Sequence, residues 1–268
     1  KVSLSDDLWR QIADSRARIE KMLTGGGAIY GVNTGFGKLC NVRISAGELA
    51  QLQENLILSH AVGVGPPLAP ELVRWMMLFK IAALSRGASG ISPDCVKSLV
   101  GMLNADILPV IPSRGSLGAS GDLAPLSHMV LGMMGRGQVS VNGQTQPAAD
   151  ALKKTSLTPI RLGAKDGLAL INGTQMMLAH AAEICVRAAR LAKHADIIAT
   201  MSLEACRGSL KPFDERLLRL RPHSGALEVG ANVRALMADS EILASHATCD
   251  KVQDPYSLRC VPQVHGAC

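Results

Sequence analysis

Residues 115–128 read GSLGASGDLAPLSH, and the run Ala119-Ser120-Gly121 within them joins three of the smallest residue types. One interpretation is a loop that leads into a helix, with Ser120 or Asp122 capping the first turn. The other is chemical. A glycine nitrogen is unhindered and its backbone is free, so the Gly121 amide is able to attack the Ala119 carbonyl. Loss of one water closes a ring, and loss of a second from Ser120 leaves a methylidene, a strong electrophile. On the pattern alone, the helix start is favoured.

The two tyrosines of the chain, and an arginine near its end, are the next candidates. The chain has two tyrosines, Tyr30 and Tyr256, and each lies beside glycine or proline rather than on an apolar helix face. A core tyrosine normally packs its ring on a regular element, so this placement slightly favours a hydroxyl offered to a ligand. Arg259 has no acidic neighbour adjacent in sequence. A carboxylate-binding role fits it, although a solvated surface arginine is the default interpretation.

Other classes of function find no support in the sequence. The glycines of YGVNTGFG and GMMGRG do not match a phosphate-binding loop, so we predict no nucleotide. Seven irregularly spaced cysteines without CxxC, and histidines without HExxH, predict no metal and a reducing compartment. The net charge of +6 is dispersed and aromatic residues are 3%, so we expect no nucleic acid partner. No apolar run reaches about 18 residues, so we predict no membrane span.

Helical periodicity runs through most of the chain, and the predicted fold is mainly α. Asn142-Gly143 predicts one small β-hairpin near 138–146. We predict an N-terminal domain over 1–163 that carries the small-residue turn, followed at 164–268 by the start of a central helical bundle. A single helix is expected from Ala164 to Arg207. Two further helices are predicted from Ser5 to about Leu23 and over 225–243. Others are predicted to begin near Ser45, at Pro70, at 92–94 and after Pro125. The tail 249–268 is predicted to be irregular.

Six segments in order resemble the aromatic amino acid ammonia-lyases, from about residue 28 to the end of the chain. They are YGVNTGFGKL, NLILSHAVGVG, RGSLGASGDLAPLSH, GLALINGTQ, LRPHSG and VQDPYSLRCVPQVHGA. Within that family they are most similar to the members that act on histidine. The resemblance favours the chemical interpretation of the turn.

The resemblance implies a role for each matching residue. Ala119, Ser120 and Gly121 are expected to form the prosthetic group 4-methylidene-imidazol-5-one (MIO), with no metal and no external cofactor. Tyr30 is expected to remove the β-proton of the substrate. Arg259 is expected to bind the substrate carboxylate, which its planar guanidinium suits.

The remaining matches concern positioning and specificity. Asn172, Gln253 and Tyr256 are expected to hydrogen-bond the prosthetic ring or the carboxylate. His60 is expected to face the substrate side chain and to favour imidazole over phenyl. His128, which follows the turn, receives no role.

The implied activity is elimination of ammonia from L-histidine to give trans-urocanate, the first step of histidine degradation. The family's members are cytoplasmic homotetramers with shared active sites, and their chains are much longer. We therefore expect residues 1–268 to be the N-terminal half of such a chain, with an incomplete bundle and no activity if they stand alone. Two alternatives stay open: a phenylalanine or tyrosine ammonia-lyase or aminomutase, and an inactive structural helical protein.

Overall fold

Helices make up most of the secondary structure in the computed structural model, which describes residues 1–25, 27–35, 41–117 and 121–268. The prediction of a mainly α fold is confirmed. The described residues form two compact units, Lys1–Glu183 and Ile184–Cys268. The predicted domain boundary between 163 and 164 stays a prediction. Among the described helices, none is both long enough and apolar enough to cross a bilayer.

The helices of the first unit begin largely where local sequence chemistry predicts. Pro70 and Pro93 each occupy a first helical position, where the missing N–H costs no hydrogen bond. Ser5 and Ser92 directly precede their helices as the sequence predicts, but neither side chain accepts a hydrogen bond from its helix, and the Ser92 hydroxyl donates to Cys95 Sγ instead. In chain order the helices are α1 (Asp6–Thr24), α2 (Leu49–His60), α3 (Pro70–Leu84), α4 (Pro93–Asn104), α5 (Leu123–Met133), α6 (Ala148–Lys154), α7 (Asp166–Ile171) and α8 (Gln175–Ala205), and α8 continues into the second unit.

Two small antiparallel sheets join these helices. The predicted hairpin is present as β4 (Gln138–Val141) and β5 (Gln144–Pro147). Asn142 and Gly143 both have positive φ, 51° and 78°, as the two central residues of a tight hairpin turn require. The hairpin is extended by β2 (Ile107–Pro109), which pairs with β4 and was not predicted. The second sheet pairs β1 (Val64–Pro67) with β3 (Pro112–Arg114).

The core of the first unit is aliphatic and rich in methionine. It lies between α3, α4, α5 and α7, with β2 beneath α5. Its fully buried members include Met76, Leu99, Met129 and Leu170. Methionine adapts its shape to irregular gaps, which suits a core built with few aromatic rings.

The predicted single helix over 164–207 is wrong, because the chain breaks at Asn172–Thr174 between α7 and α8. Gly173 has φ +154°, a conformation outside the helical range. Its carbonyl accepts a hydrogen bond from the Asp122 N–H at 3.1 Å instead of from the next helical turn. The break therefore joins Gly173 to Asp122, the residue that directly follows the small-residue turn.

The second unit has its own small core around α10 (Ser224–Leu236). Leu203, Phe213, Val229 and Val233 are buried there together with Met237 and Val261. The predicted helix over 225–243 ends early, at Leu236, and the predicted irregular tail contains two short helices, so both predictions are wrong. The helices are α9 (Glu215–Leu218), α10 (Ser224–Leu236), α11 (Glu241–Ser245), α12 (Tyr256–Arg259) and α13 (Val261–Ala267).

Candidate active site

The two ends of the small-residue turn are joined by a hydrogen bond. The Leu117 N–H donates to the Gly121 carbonyl at 2.8 Å, and Gly121 has φ +74°. A side chain at Gly121 is excluded both by that φ and by Thr174, whose Cγ2 would lie 2.9 Å from an added Cβ. Ala119 and Ser120, which are predicted to cyclise with Gly121, lie outside the described residues.

The break between α7 and α8 lies directly beside this turn. Gly121 pairs with Gly173 in a β-bridge. Asn172, next in sequence to Gly173, is thereby brought close to the turn, with its side chain exposed rather than packed in the core. The structure thus places two of the sequence-predicted site residues, Gly121 and Asn172, close together.

Asp122 stabilises the break from the other side of the turn. Its Oδ2 accepts hydrogen bonds from Met176 N at 2.7 Å and Met177 N at 3.0 Å, so its carboxylate caps the first turn of α8. The interpretation of Asp122 as a side-chain cap of its own helix is wrong, since that side chain makes no capping bond to α5. Its Oδ1 is buried and has no hydrogen-bond partner among the described residues.

Lys80 is a site residue that our sequence reasoning missed. It lies in α3 with 1% of its surface exposed, and its Nζ donates to the Asn172 carbonyl at 3.0 Å. Burial, reinforced by the charge of Lys165, lowers the pKa of Lys80 from 10.5 to about 7. The signal was available in the sequence, because Lys80 is the one charged residue within the apolar run WMMLFKIAAL.

A second buried charge fixes the start of α7. Asp166 is 1% exposed and accepts hydrogen bonds from Ser92 N and Gly163 N, both at 2.8 Å. Arg16 Nη1 lies 3.3 Å from its Oδ1. Burial raises the pKa of Asp166, while these donors and Arg16 oppose the rise. The cluster holds α7, and with it Asn172, against α1 and the start of α4.

Tyr30 lies in a turn of the first unit, with 56% of its surface exposed. Asn33 closes the segment around it: its Oδ1 accepts from Ile29 N and its Nδ2 donates to the Gly27 carbonyl, both at 2.7 Å. The tyrosine side chain is therefore carried on a loop tied together by its own residues rather than packed on a helix.

His60 is the last residue of α2, and its tautomer follows from its contacts. Nδ1 lies 2.9 Å from the Leu56 carbonyl oxygen, which accepts hydrogen bonds only. In the neutral ring, the proton therefore sits on Nδ1 and Nε2 carries a lone pair. A ligand with an N–H group suits that acceptor.

Gln253, Tyr256 and Arg259 lie together in the second unit. Arg259 Nε donates to the Asp254 carbonyl at 2.8 Å, and the buried Asp254 side chain accepts from Ser209 N at 2.7 Å. These bonds fix the loop before α12 against the end of α8. Gln253 and Arg259 line a cavity of about 520 Å³ within this unit, while Tyr256 is 75% exposed. The catalytic and binding roles of all these residues remain predictions.

No group of three or more His, Cys, Asp or Glu side chains in the described part of the chain is arranged to hold a metal ion.

Comparison with known proteins identifies the class of this fold. The solved structure of histidine ammonia-lyase from Trypanosoma cruzi superposes with a TM-score of 0.86 at 39% identity, covering 100% of this chain and 49% of that one. Phenylalanine aminomutase from Pantoea agglomerans superposes with a TM-score of 0.89 at 34% identity, covering 99% and 54%. The fold is therefore one that an ammonia-lyase and an aminomutase share.

The family follows from the sequence match. The family model described as aromatic amino acid lyase matches residues 1–268. Histidine ammonia-lyase of Deinococcus radiodurans is 53% identical over 268 residues, which are 100% of this chain and 51% of that relative. The chain belongs to the aromatic amino acid lyase family. It spans about half the length of the curated relatives it matches.

Proposed function

We propose that this chain forms part of an enzyme that eliminates ammonia from L-histidine to give trans-urocanate. The observation that carries the proposal is the pairing of Gly121 with Gly173, which sets Asn172 beside the turn that is predicted to cyclise. The identity of 53% to a histidine ammonia-lyase supports histidine as the substrate.

The described residues around the turn fit the MIO group. The bond from Leu117 to Gly121 brings the ends of the turn together, and the φ of +74° at Gly121 requires glycine. Ala119, Ser120 and Gly121 would form the group, and Asn172, Gln253 and Tyr256 would hold it by hydrogen bonds. When formed, the group supplies a strong electrophile for the substrate.

The chain's own residues carry out binding and proton transfer in this proposal. Arg259 binds the substrate carboxylate through its guanidinium. The Tyr30 oxygen, as the phenolate, takes the β-proton, and the electrons of the broken C–H bond form the double bond between the α and β carbons. The C–N bond of the protonated amino group breaks, its electron pair stays on nitrogen, and neutral ammonia leaves.

His60 supports histidine over phenylalanine. Since its Nδ1 proton is committed to the Leu56 carbonyl, its Nε2 is able to accept a hydrogen bond from the imidazole N–H of a substrate. A phenyl ring offers no such donor, so the half-buried Nε2 acceptor would be left without a partner. The similarity to an aminomutase at 34% identity makes the sibling activities the second candidate.

We further propose that the protein works as a cytoplasmic homotetramer with shared active sites, as the family resemblance implies. An exposed apolar face on α8 supports association with further helices. Its members Ile184, Leu191, Ile198 and Met201 are each more than 60% exposed. An apolar face of this kind is typical of a helix that packs in a bundle or an oligomer.

The test combines mass spectrometry with an assay of substrate choice. In the full-length enzyme of which this chain forms part, we expect the peptide spanning 115–128 to be lighter than its sequence by two waters. We expect that enzyme to release urocanate from L-histidine but no product from L-phenylalanine or L-tyrosine. The Ser120→Ala variant is the matched control, and it should keep the unmodified mass and lose activity. A peptide of unmodified mass in the active protein contradicts the MIO proposal, and product from the other two amino acids contradicts the choice of histidine.

A further inference from the structure

His128 lies in α5, two turns after the small-residue turn, and contacts a different loop. Its Nε2 accepts a hydrogen bond from the Gly63 N–H at 3.0 Å. A backbone N–H only donates, so Nε2 must carry a lone pair and the ring proton sits on Nδ1. Partial burial lowers the pKa of His128, which favours this neutral ring.

The contact belongs to a tightly packed junction of three segments. A Cβ added at Gly63 would lie 3.1 Å from His128 Nε2 and 3.2 Å from Pro112 Cβ. A Cβ added at Gly115 would lie 3.4 Å from the Gly63 Cα and 3.2 Å from Ala124 Cβ. Three segments therefore pack together through the backbone of Gly63 and Gly115. They are the loop after His60, the strand that leads into the small-residue turn and the helix that follows that turn.

Gly63 is three residues after His60, between the end of α2 and the first residue of β1. The intervening amides bond back along the chain: Ala61 N donates to the Ile57 carbonyl at 3.0 Å, and Val62 N to the His60 carbonyl at 2.9 Å. The side chain of Val62 is 69% exposed. Among the hydrogen bonds described for residues 61–63, the one that reaches α5 is accepted by the imidazole of His128.

We propose that His128 is a positioning residue, which holds the Gly63 amide through Nε2 and so fixes the His60 loop to the helix that leaves the small-residue turn. This inference rests on the proposed function, because His60 is given the task of binding the substrate ring. His128 acts on binding through this loop.

Three substitutions at this position separate the hydrogen bond from packing. His128→Gln keeps an acceptor close to the position of Nε2. His128→Asn carries its acceptor nearer the backbone, where Nδ1 stood, and His128→Leu carries none. Each purified protein is compared by KM and kcat for L-histidine, by the mass of peptide 115–128, and by amide hydrogen exchange over residues 61–66.

We expect His128→Asn and His128→Leu to raise KM about five- to tenfold, as the loss of one buried hydrogen bond predicts, with kcat changed less than about twofold. His128→Gln should stay within about twofold of the parent protein in KM. Exchange over 61–66 should quicken in the Asn and Leu variants alone, while the two-water deficit persists in all three.

Equal behaviour of the Gln and Asn variants overturns the proposal, because a role in packing alone does not depend on where the acceptor lies. A fall in kcat at constant KM also overturns it. The exchange measurement does not require turnover. If the full-length parent enzyme releases no urocanate, the proposed function fails, while exchange over 61–66 still decides whether His128 holds the loop.

Discussion

Replacement of the buried Lys80 by methionine is expected to stabilise the protein, in a way that depends on pH. Lys80 is 1% exposed, and its pKa is lowered from 10.5 to about 7, chiefly by burial. This lowering corresponds to a cost of about 5 kcal/mol in the free energy of unfolding when the amine is protonated in both states. Methionine has a similar length and avoids that cost.

The gain is offset by a hydrogen bond. Lys80→Met leaves the Asn172 carbonyl without its 3.0 Å donor, which costs about 1–3 kcal/mol if the oxygen stays buried. Below pH 7 the full penalty of burying the charge is present, so the variant should be more stable by about 2–4 kcal/mol. As pH rises from about 7 to 10.5, the unfolded chain holds a proton that the folded chain has released. The free energy of unfolding of the parent protein rises with pH across that window, and the advantage of the variant disappears.

Urea unfolding followed by far-UV circular dichroism at about pH 6, 8 and 10 measures this difference. Lys97→Met is the matched control, because Lys97 lies on the neighbouring helix α4 with its side chain 64% exposed. The control should change stability by less than about 0.5 kcal/mol at every pH. A Lys80→Met effect that is constant with pH, or a loss of stability at about pH 6, would refute the reasoning.

Two further predictions concern the other buried charges. Asp122→Ala removes the acceptor of Met176 N and Met177 N and should lower the free energy of unfolding by about 2–4 kcal/mol. For comparison, Ser240→Ala removes the cap of the short helix α11 and should lower it by about 1 kcal/mol. Urea unfolding checks both, and equal costs would contradict the role given to Asp122. Arg16→Met leaves Asp166 buried without its cation and should cost about 3–5 kcal/mol near neutral pH. Burial already raises the pKa of Asp166, so the folded variant keeps a proton that the unfolded chain loses, and the cost should grow as pH rises from about 4 to 7 in thermal unfolding.

The parts of the fold that follow from local chemistry were predictable from the sequence. Proline at a first helical position set the start of α3 and α4, and Asn142-Gly143 set the hairpin. The last helix of the tail, α13, was not predictable, because it is stabilised by packing on α10. Gly225 and Gly266 meet there so closely that neither position has room for a side chain.

The candidate site divides in the same way. The positions of Gly121, Asn172 and His60 came from motifs, and the structure adds the bonds that hold them. Lys80 was missed because its partner lies 92 residues away along the chain. Periodicity reports which face of a helix is buried, and it carries no information about which distant carbonyl a buried amine will meet.

The break between α7 and α8 explains why two costly charges are buried together. In a continuous helix, Met176 N would donate to the Asn172 carbonyl and Met177 N to the Gly173 carbonyl. In the structure, Lys80 Nζ and the Asp122 N–H donate to those two carbonyls, while Asp122 Oδ2 accepts from both methionine amides. Four backbone groups that a helix break would leave without partners are thus satisfied by two residues, and the regular pattern resumes with Leu178 N donating to the Thr174 carbonyl. Because Asp122 directly follows the small-residue turn, the same bonds that open the helix at Asn172 also hold it against that turn. The burial of Lys80 and Asp122 is the energetic cost of placing Asn172 beside Gly121.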